Sequence, residues 1–312
     1  MEMTTGRLDV PRKVQSIEAP INYIAPTART PYVDVSDPSA SQLDLESHNC
    51  TILDARTLDI PPSLEREGFM LVRHKLPAIN YRDHEEVVRR YLPAVQELIV
   101  DLTRADRVVV SDGPVVRFTS PQEVGVNRPN IFGHTDYTDA AARAYLRLSY
   151  DRSLAPEEGY AETRRLMAGS IDLQEGQEPE YKRVLGVQTW RVLSNPPHDI
   201  PLAVCAANSV AIEDRVDGIY SYGASDLERQ ILGFTAYRFN PRHAWYYFSD
   251  MEPDEVLVML GYDFNNHEAA RVLHSAFRDP NCPSHAVGRS SIDVRTFAFF
   301  KNTDYFPCQF AK

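Results

Sequence analysis

Val184-Leu-Gly-Val-Gln-Thr-Trp-Arg-Val192 marks the point where the chain changes character. From here on, short β-rich runs alternate with turn signals. The runs that follow are Leu202–Val210, Leu232–Phe239, Ala244–Phe248, Glu255–Tyr262, Arg271–Phe277 and Ser291–Phe300. Several short strands at such spacings predict a sandwich or barrel. Neither an internal repeat nor a low-complexity tract interrupts them.

Upstream, the pattern differs. Residues 1–50 are rich in Pro, Ser and Thr, and Pro20, Pro26, Pro31 and Pro38 recur too often for a helix. This predicts an irregular arm crossing the domain surface, its first dozen residues disordered. Ile52–Asp54 reads as the opening of a short strand, and Leu64–Arg73 as a turn followed by a strand. His84–Ala105 is the clearest helix. Asp83 can cap it, Glu85 and Glu86 suit its first turn, and Val87, Val88, Tyr91, Leu92, Val95, Leu98 and Ile99 recur at helical steps. Pro93 should kink or break it. Arg107–Val110 and Val115–Phe118 read as strands joined by a turn at Asp112-Gly113-Pro114. Asp139–Leu148 and Tyr160–Met167 look helical, with a polar loop over Gly169–Glu180.

The result is one α+β domain over residues 1–312. An arm and helical layer (1–105) packs on an antiparallel β-core (106–305) with a helical insert (139–180), and a tail (306–312) follows.

Composition narrows the function. Hydrophobic residues are 43% and charged residues 25%, as in an ordinary globular protein. A net charge of −11 argues against nucleic acid or an anionic membrane as partner, since each needs a basic surface. No apolar run of spanning length occurs, and Met1–Asp9 lacks the features of a signal peptide. Cys50, Cys205, Cys282 and Cys308 are scattered without a CxxC pair, which suits free thiols in the cytoplasm. The chain has no HExxH, no GxSxG elbow and no glycine-rich phosphate loop.

What it does contain is Gly133-His-Thr-Asp-Tyr-Thr138. On an extended strand His134 and Asp136 share a face. With one more histidine they would form the two-histidine, one-carboxylate set that holds Fe(II) and leaves positions open for O2 and a co-substrate. A lone HxD is weak, and a polar pair at a strand end is the competing reading. The apolar run Arg271-Val-Leu-His274-Ser-Ala-Phe277 offers the third ligand. His48, His74, His84, His198, His243, His267 and His285 lie in polar, turn or proline-containing surroundings and read as solvated or capping.

A 2-oxo acid co-substrate also needs a cation for its far carboxylate, and the planar fork of arginine fits best. Arg289-Ser-Ser291-Ile-Asp293-Val-Arg295 puts Arg289, Ser291, Asp293 and Arg295 on one strand face. Either arginine could serve, the other being salt-bridged to Asp293. Trp245, Tyr246, Tyr247, Phe297 and Phe299 are candidates for a pocket lining or for plain core.

These blocks, together with Trp190-Arg191, Phe239-Asn-Pro241, Met251-Glu-Pro-Asp-Glu255, Tyr262-Asp263 and Leu53-Asp-Ala-Arg56, resemble the fungal hydroxylase/desaturase family. That group includes gibberellin-desaturase-like proteins and is similar to a component of the bacterial cephamycin hydroxylase. The resemblance spans roughly residues 20–305. It implies a distorted double-stranded β-helix (a cupin-like jelly roll) and Fe(II)/2-oxoglutarate chemistry on a small secondary-metabolite or amino-acid-derived substrate. Carried over by position, His134, Asp136 and His274 are the iron ligands. Arg289 with Ser291 anchors 2-oxoglutarate, Arg295 is the second candidate, and Tyr137, Trp245, Phe297 and Phe299 are the expected pocket.

Hydroxylation, desaturation and ring closure all fit, with succinate and CO2 released. Halogenation does not, since Asp136 fills the position chloride would need. The alternatives are an iron oxygenase that uses no 2-oxo acid and a non-catalytic partner or small-molecule binding protein of the same fold. A homodimer is an allowed assembly. Leu260, Phe264 and Ala206 stand where the family pattern has a lysine, a serine and an acidic residue. These changes point to a smaller or more hydrophobic substrate.

Overall fold

The computed structural model describes residues 14–26, 30–111, 113–118, 129–154, 181–222, 230–266, 271–284, 286 and 288–302. Among these, two sheets carry the architecture. The larger runs in the order β1 (Ser16–Ile24), β3 (Leu45–Asp54), β12 (Trp245–Tyr247), β9 (Leu202–Cys205), β14 (His274–Ala276), β7 (His134–Thr135), β11 (Gln230–Tyr237), β10 (Arg215–Tyr222) and β2 (Tyr32–Asp34). The smaller runs β4 (Phe69–Arg73), β13 (Glu255–Asp263), β8 (Arg183–Val192), β15 (Ser290–Phe300) and β5 (Arg107–Val110), with β6 (Val115–Phe118) also on β15. All pairings are antiparallel except β2 with β10 and β3 with β12. The chain is therefore a sheet-rich mixed α/β protein with few helices.

Period-two alternation sorts the smaller sheet into two faces. Leu185 and Val187 of β8, Val256, Val258 and Leu260 of β13, and Ile292 and Val294 of β15 point one way. They meet Leu92, Val95, Leu98 and Ile99 of helix α2 (Leu92–Thr103). Trp190, Val192, Leu257 and Met259 point the other way and pack with Val204 of β9 and with Val272. Layer order is thus helix, small sheet, large sheet. The register of β13 against β8 shifts between Leu260 and Tyr262, a bulge that turns Tyr262 into an aromatic cluster with Phe297 and Phe299.

The predicted helix begins as expected, with the Asp83 carboxylate accepting from the Glu86 N–H in a short first segment, α1 (His84–Glu86). Pro93 does break it. Proline has no N–H to return to the preceding turn, and Val87–Tyr91 passes through a π-helical turn closed by the Leu92 N–H on Val87 O. The helix then resumes as α2 and ends at Arg104, which caps it in the left-handed conformation with φ 57°.

Several expectations change. The described residues among the first fifty are not an irregular arm: they supply β1, β2 and most of β3. Pro20 is tolerated because β1 sits at a sheet edge, while Ala19, Ile21 and Tyr23 alternate into the core. Ile52–Asp54 closes β3 instead of opening a strand. β5 and β6 do not pair with each other; they lie in succession along β15. β10 escapes the sequence reading because Asp217-Gly218 looks like a turn. Gly218 is needed there, since a Cβ would lie 2.5 Å from the Phe234 ring. Helix α3 (Asp139–Leu154) runs past the expected Leu148. The readings made for the first dozen residues, Asp112, Tyr160–Met167, Gly169–Glu180 and the tail lie outside the described residues. No helix among the described residues is long and apolar enough to cross a membrane.

Candidate metal centre

His134 lies opposite His274 across the β7–β14 pair, and His274 in turn lies opposite Val204 of β9. This register brings the two imidazoles together, with ring centroids 4.5 Å apart. Asp136 follows on the His134 side, its Oδ1 3.8 Å from His134 Nε2. One ligand atom from each of the three residues lies within 4.8 Å of the others.

Both rings are held in the same way. His134 Nδ1 bonds Phe132 O at 2.8 Å, and His274 Nδ1 bonds Val272 O at 3.0 Å, each two residues upstream. A carbonyl can only accept, so Nδ1 carries the hydrogen and Nε2 is left with its lone pair, as a metal ligand requires. Burial, then the neighbouring His274, pushes His134 down to about 3, so it is neutral at physiological pH. Burial alone would disfavour an ionised Asp136. The Arg295 guanidinium and the two imidazoles outweigh it and hold the carboxyl well below the usual carboxylate range.

A small cavity, partly open to solvent, adjoins the three residues. Arg289 lines it, as do Trp190, Leu202 and Met259. Arg289 is only 1% exposed, and its guanidinium lies 5.1 Å from the Trp190 ring centroid. Burial, then Arg117, pushes it down to about 9. Ser291 Oγ is fully buried and has no hydrogen-bond partner. Arg295 is placed otherwise: its Nε donates to Asp136 Oδ2 at 2.9 Å and its Nη2 lies 3.5 Å from Asp293.

The expected aromatic lining separates from the cavity. Tyr137, Phe297 and Phe299 sit in the cluster around Tyr145 and Tyr262. Trp245 belongs to a different cluster, its indole N–H donating to Tyr23 OH at 2.7 Å. None of the four is among the lining residues. Leu260 faces helix α2, and Phe264 packs against the Tyr262 cluster. Neither change therefore alters the cavity wall. The sequence reading missed Asn130, whose amide Nδ2 donates to His134 Nε2 at 3.1 Å and to Tyr220 OH at 3.0 Å. It also missed Arg117 and Gln188, and only Gln188 had a signal, the strand alternation that puts it on the face of Trp190.

Comparison with known proteins agrees with this geometry. An alpha-ketoglutarate-dependent dioxygenase, phiK, from a fungal species is 27% identical over 291 residues, covering 91% of this chain and 96% of that protein. A hydroxylase/desaturase, poxK, of Penicillium oxalicum is 25% identical over 300 residues, covering 88% and 83%. The solved structure of the iron and alpha-ketoglutarate-dependent endoperoxidase NvfI superposes with a TM-score of 0.69 at 25% identity, covering 91% of this chain and 98% of that one. Aspergillus novofumigatus is the source of the curated nvfI protein. Fold and site together define the class as the non-haem iron, 2-oxoglutarate-dependent dioxygenases. The chain belongs to the family described as "Oxidoreductase/YMDC permease-like domain", which matches residues 21–299.

Proposed function

We propose that His134 and His274, through Nε2, and Asp136, through its carboxylate, hold Fe(II), and that Arg289 with Ser291 holds the far carboxylate of 2-oxoglutarate. The observation that carries this reading is the clustering of two imidazoles and one carboxylate, within 4.8 Å, in a cavity that also holds a buried arginine. The donor set suits Fe(II). The anchor suits a dianion. The Arg289 guanidinium lines the cavity at 1% exposure, where a two-pronged charged donor binds a carboxylate strongly, and the Ser291 hydroxyl two residues along has a donor to give. Arg295 is the weaker candidate because its Nε already serves Asp136. Two facing, mainly antiparallel sheets that split the ligands from the anchor support a distorted double-stranded β-helix.

Iron held by His134, Asp136 and His274, with 2-oxoglutarate and O2, would supply the oxidising power to activate an unactivated C–H bond, with succinate and CO2 as co-products. The protein's part is orientation. Register fixes the histidines, Arg289 and Ser291 set the direction of the oxo acid, and the cavity walls decide which C–H bond is presented. With Asp136 in the ligand set, hydroxylation, desaturation or oxidative ring closure of a small secondary-metabolite or amino-acid-derived substrate is favoured over halogenation. A net charge of −11 and scattered cysteines support a cytoplasmic enzyme acting on small molecules and O2, not on nucleic acid or membrane.

Anaerobic titration with Fe(II) and then 2-oxoglutarate tests this through the weak visible charge-transfer band of the chelate. His274→Ala should abolish the band. Arg289→Ala should keep iron but weaken 2-oxoglutarate by roughly 30-fold or more, the loss of one partner of a buried charge pair. If Arg295→Ala has that effect and Arg289→Ala does not, the anchor is misassigned. O2 uptake that is indifferent to 2-oxoglutarate would instead favour an oxygenase using no oxo acid.

A further inference from the structure

We propose that Arg295 and Gln188 are positioning residues that keep Asp136 a one-oxygen ligand and so preserve an open coordination position. This rests on the metal site proposed above.

A carboxylate can meet a metal through one oxygen or both. Three protein ligands leave room for a two-atom oxo-acid chelate and for O2 only if each ligand takes one position. A side chain rotating freely between one-oxygen and two-oxygen binding would close the third opening. In this structure the two oxygens of Asp136 have different surroundings. Oδ1 is the oxygen on the histidine side, 3.8 Å from His134 Nε2. Oδ2 accepts from Arg295 Nε at 2.9 Å and from the Gln188 amide. Two donors on one oxygen hold it away from the histidines and fix the carboxylate plane.

The clamp is itself braced. Arg295 is paired with Asp293, and Asp293 with Arg117, so charges alternate from Arg117 to Asp136 along one side of the cavity. Gln188 is seated by Gly261 at the β13 bulge, where a Cβ would come 3.2 Å from the Gln188 Cδ. Arg289, just before β15, thus lines the cavity where the co-substrate would lie, and the Asp293/Arg295 step of β15 serves the metal ligand.

The test uses the whole chain loaded with Co(II), read by its visible absorption, and compares oxalate with 2-oxoglutarate. Oxalate chelates a metal but has no far carboxylate to anchor. Azide added to the oxalate-loaded protein reads the third opening. Arg295→Gln and Gln188→Met should each weaken azide by about tenfold or more. Arg295→Lys, which can still reach Oδ2, should recover part of the loss. Wild-type azide affinity in either Arg295→Gln or Gln188→Met overturns the clamp. If Arg295→Gln loses 2-oxoglutarate but keeps oxalate and azide, Arg295 is an anchor. Should Arg295→Gln fail to fold, Gln188→Met decides alone. Two controls separate this from the parent reading: His274→Ala should lose Co(II), and Arg289→Gln should lose 2-oxoglutarate but keep oxalate.

Discussion

Arg289 and Arg295 have the same charge and the same strand face, yet their surroundings give them different work. Arg289 is buried over an indole, where the fork of a guanidinium matters as much as its charge. Arg289→Lys should therefore weaken 2-oxoglutarate by about tenfold or more despite keeping the charge, measured by the chelate band. Wild-type affinity in that variant would mean that a point charge suffices and that the fork is irrelevant. Leu260 makes the opposite case. The family pattern suggests a lysine there, but the side chain is buried between β13 and helix α2. Leu260→Lys should destabilise the fold by about 3 kcal/mol or more in denaturant unfolding, because the ammonium has no buried partner. Stability equal to wild type would contradict the placement. His134, Asp136, His274 and Arg289 could be read from the sequence because chemistry restricts their residue types and strand periodicity restricts their direction. Asn130 and Arg117 could not. Their roles come from contacts with strands distant in sequence, and nothing local marks them.

At the scale of elements, the sheet pairings explain both the successes and the misses. The β-rich runs after Val184 were legible because β8, β13 and β15 are buried on both faces and dense in apolar residues. β1 was not, because Pro20 and the prolines that follow the strand outweighed the alternation of Ala19, Ile21 and Tyr23. The bulge in β13 was also hidden, although it shapes the site. There the strand passes so close to β8 that a Cβ on Gly186 would lie 3.2 Å from Tyr262 Cβ and 3.3 Å from its backbone nitrogen. Backbone cannot move aside as a flexible side chain can. Gly186→Ala should cost about 1–3 kcal/mol, seen as a lower denaturant midpoint. Because β8 also carries Gln188, the same variant should loosen metal binding. An unchanged midpoint would show that the two strands can separate freely at this point.

For the molecule as a whole, burying neutral histidines ties stability to pH. Burial lowers His134, His198 and His243, and His134 falls to about 3. An unfolded chain would protonate all three near the ordinary value of 6.5, while the folded protein holds them neutral. Below that value the unfolded state binds more protons, so stability rises with pH. The contribution is complete above about pH 6.5 and is lost as pH falls toward the folded values. Each histidine adds a slope of at most about 1.4 kcal/mol per pH unit. Asp136 does not share this window. Its lowered value keeps its contribution intact until the ordinary carboxylate range is passed, so its loss belongs to stronger acid. Denaturant midpoints of metal-free protein measured from pH 8 to pH 5 should stay level at first and then decline below about 6.5. Fe(II) should offset part of the decline while it remains bound, because it binds only the folded state with His134 neutral. A midpoint that stays flat down to pH 5 would mean that the buried imidazoles accept protons in place, and that burial does not hold them neutral.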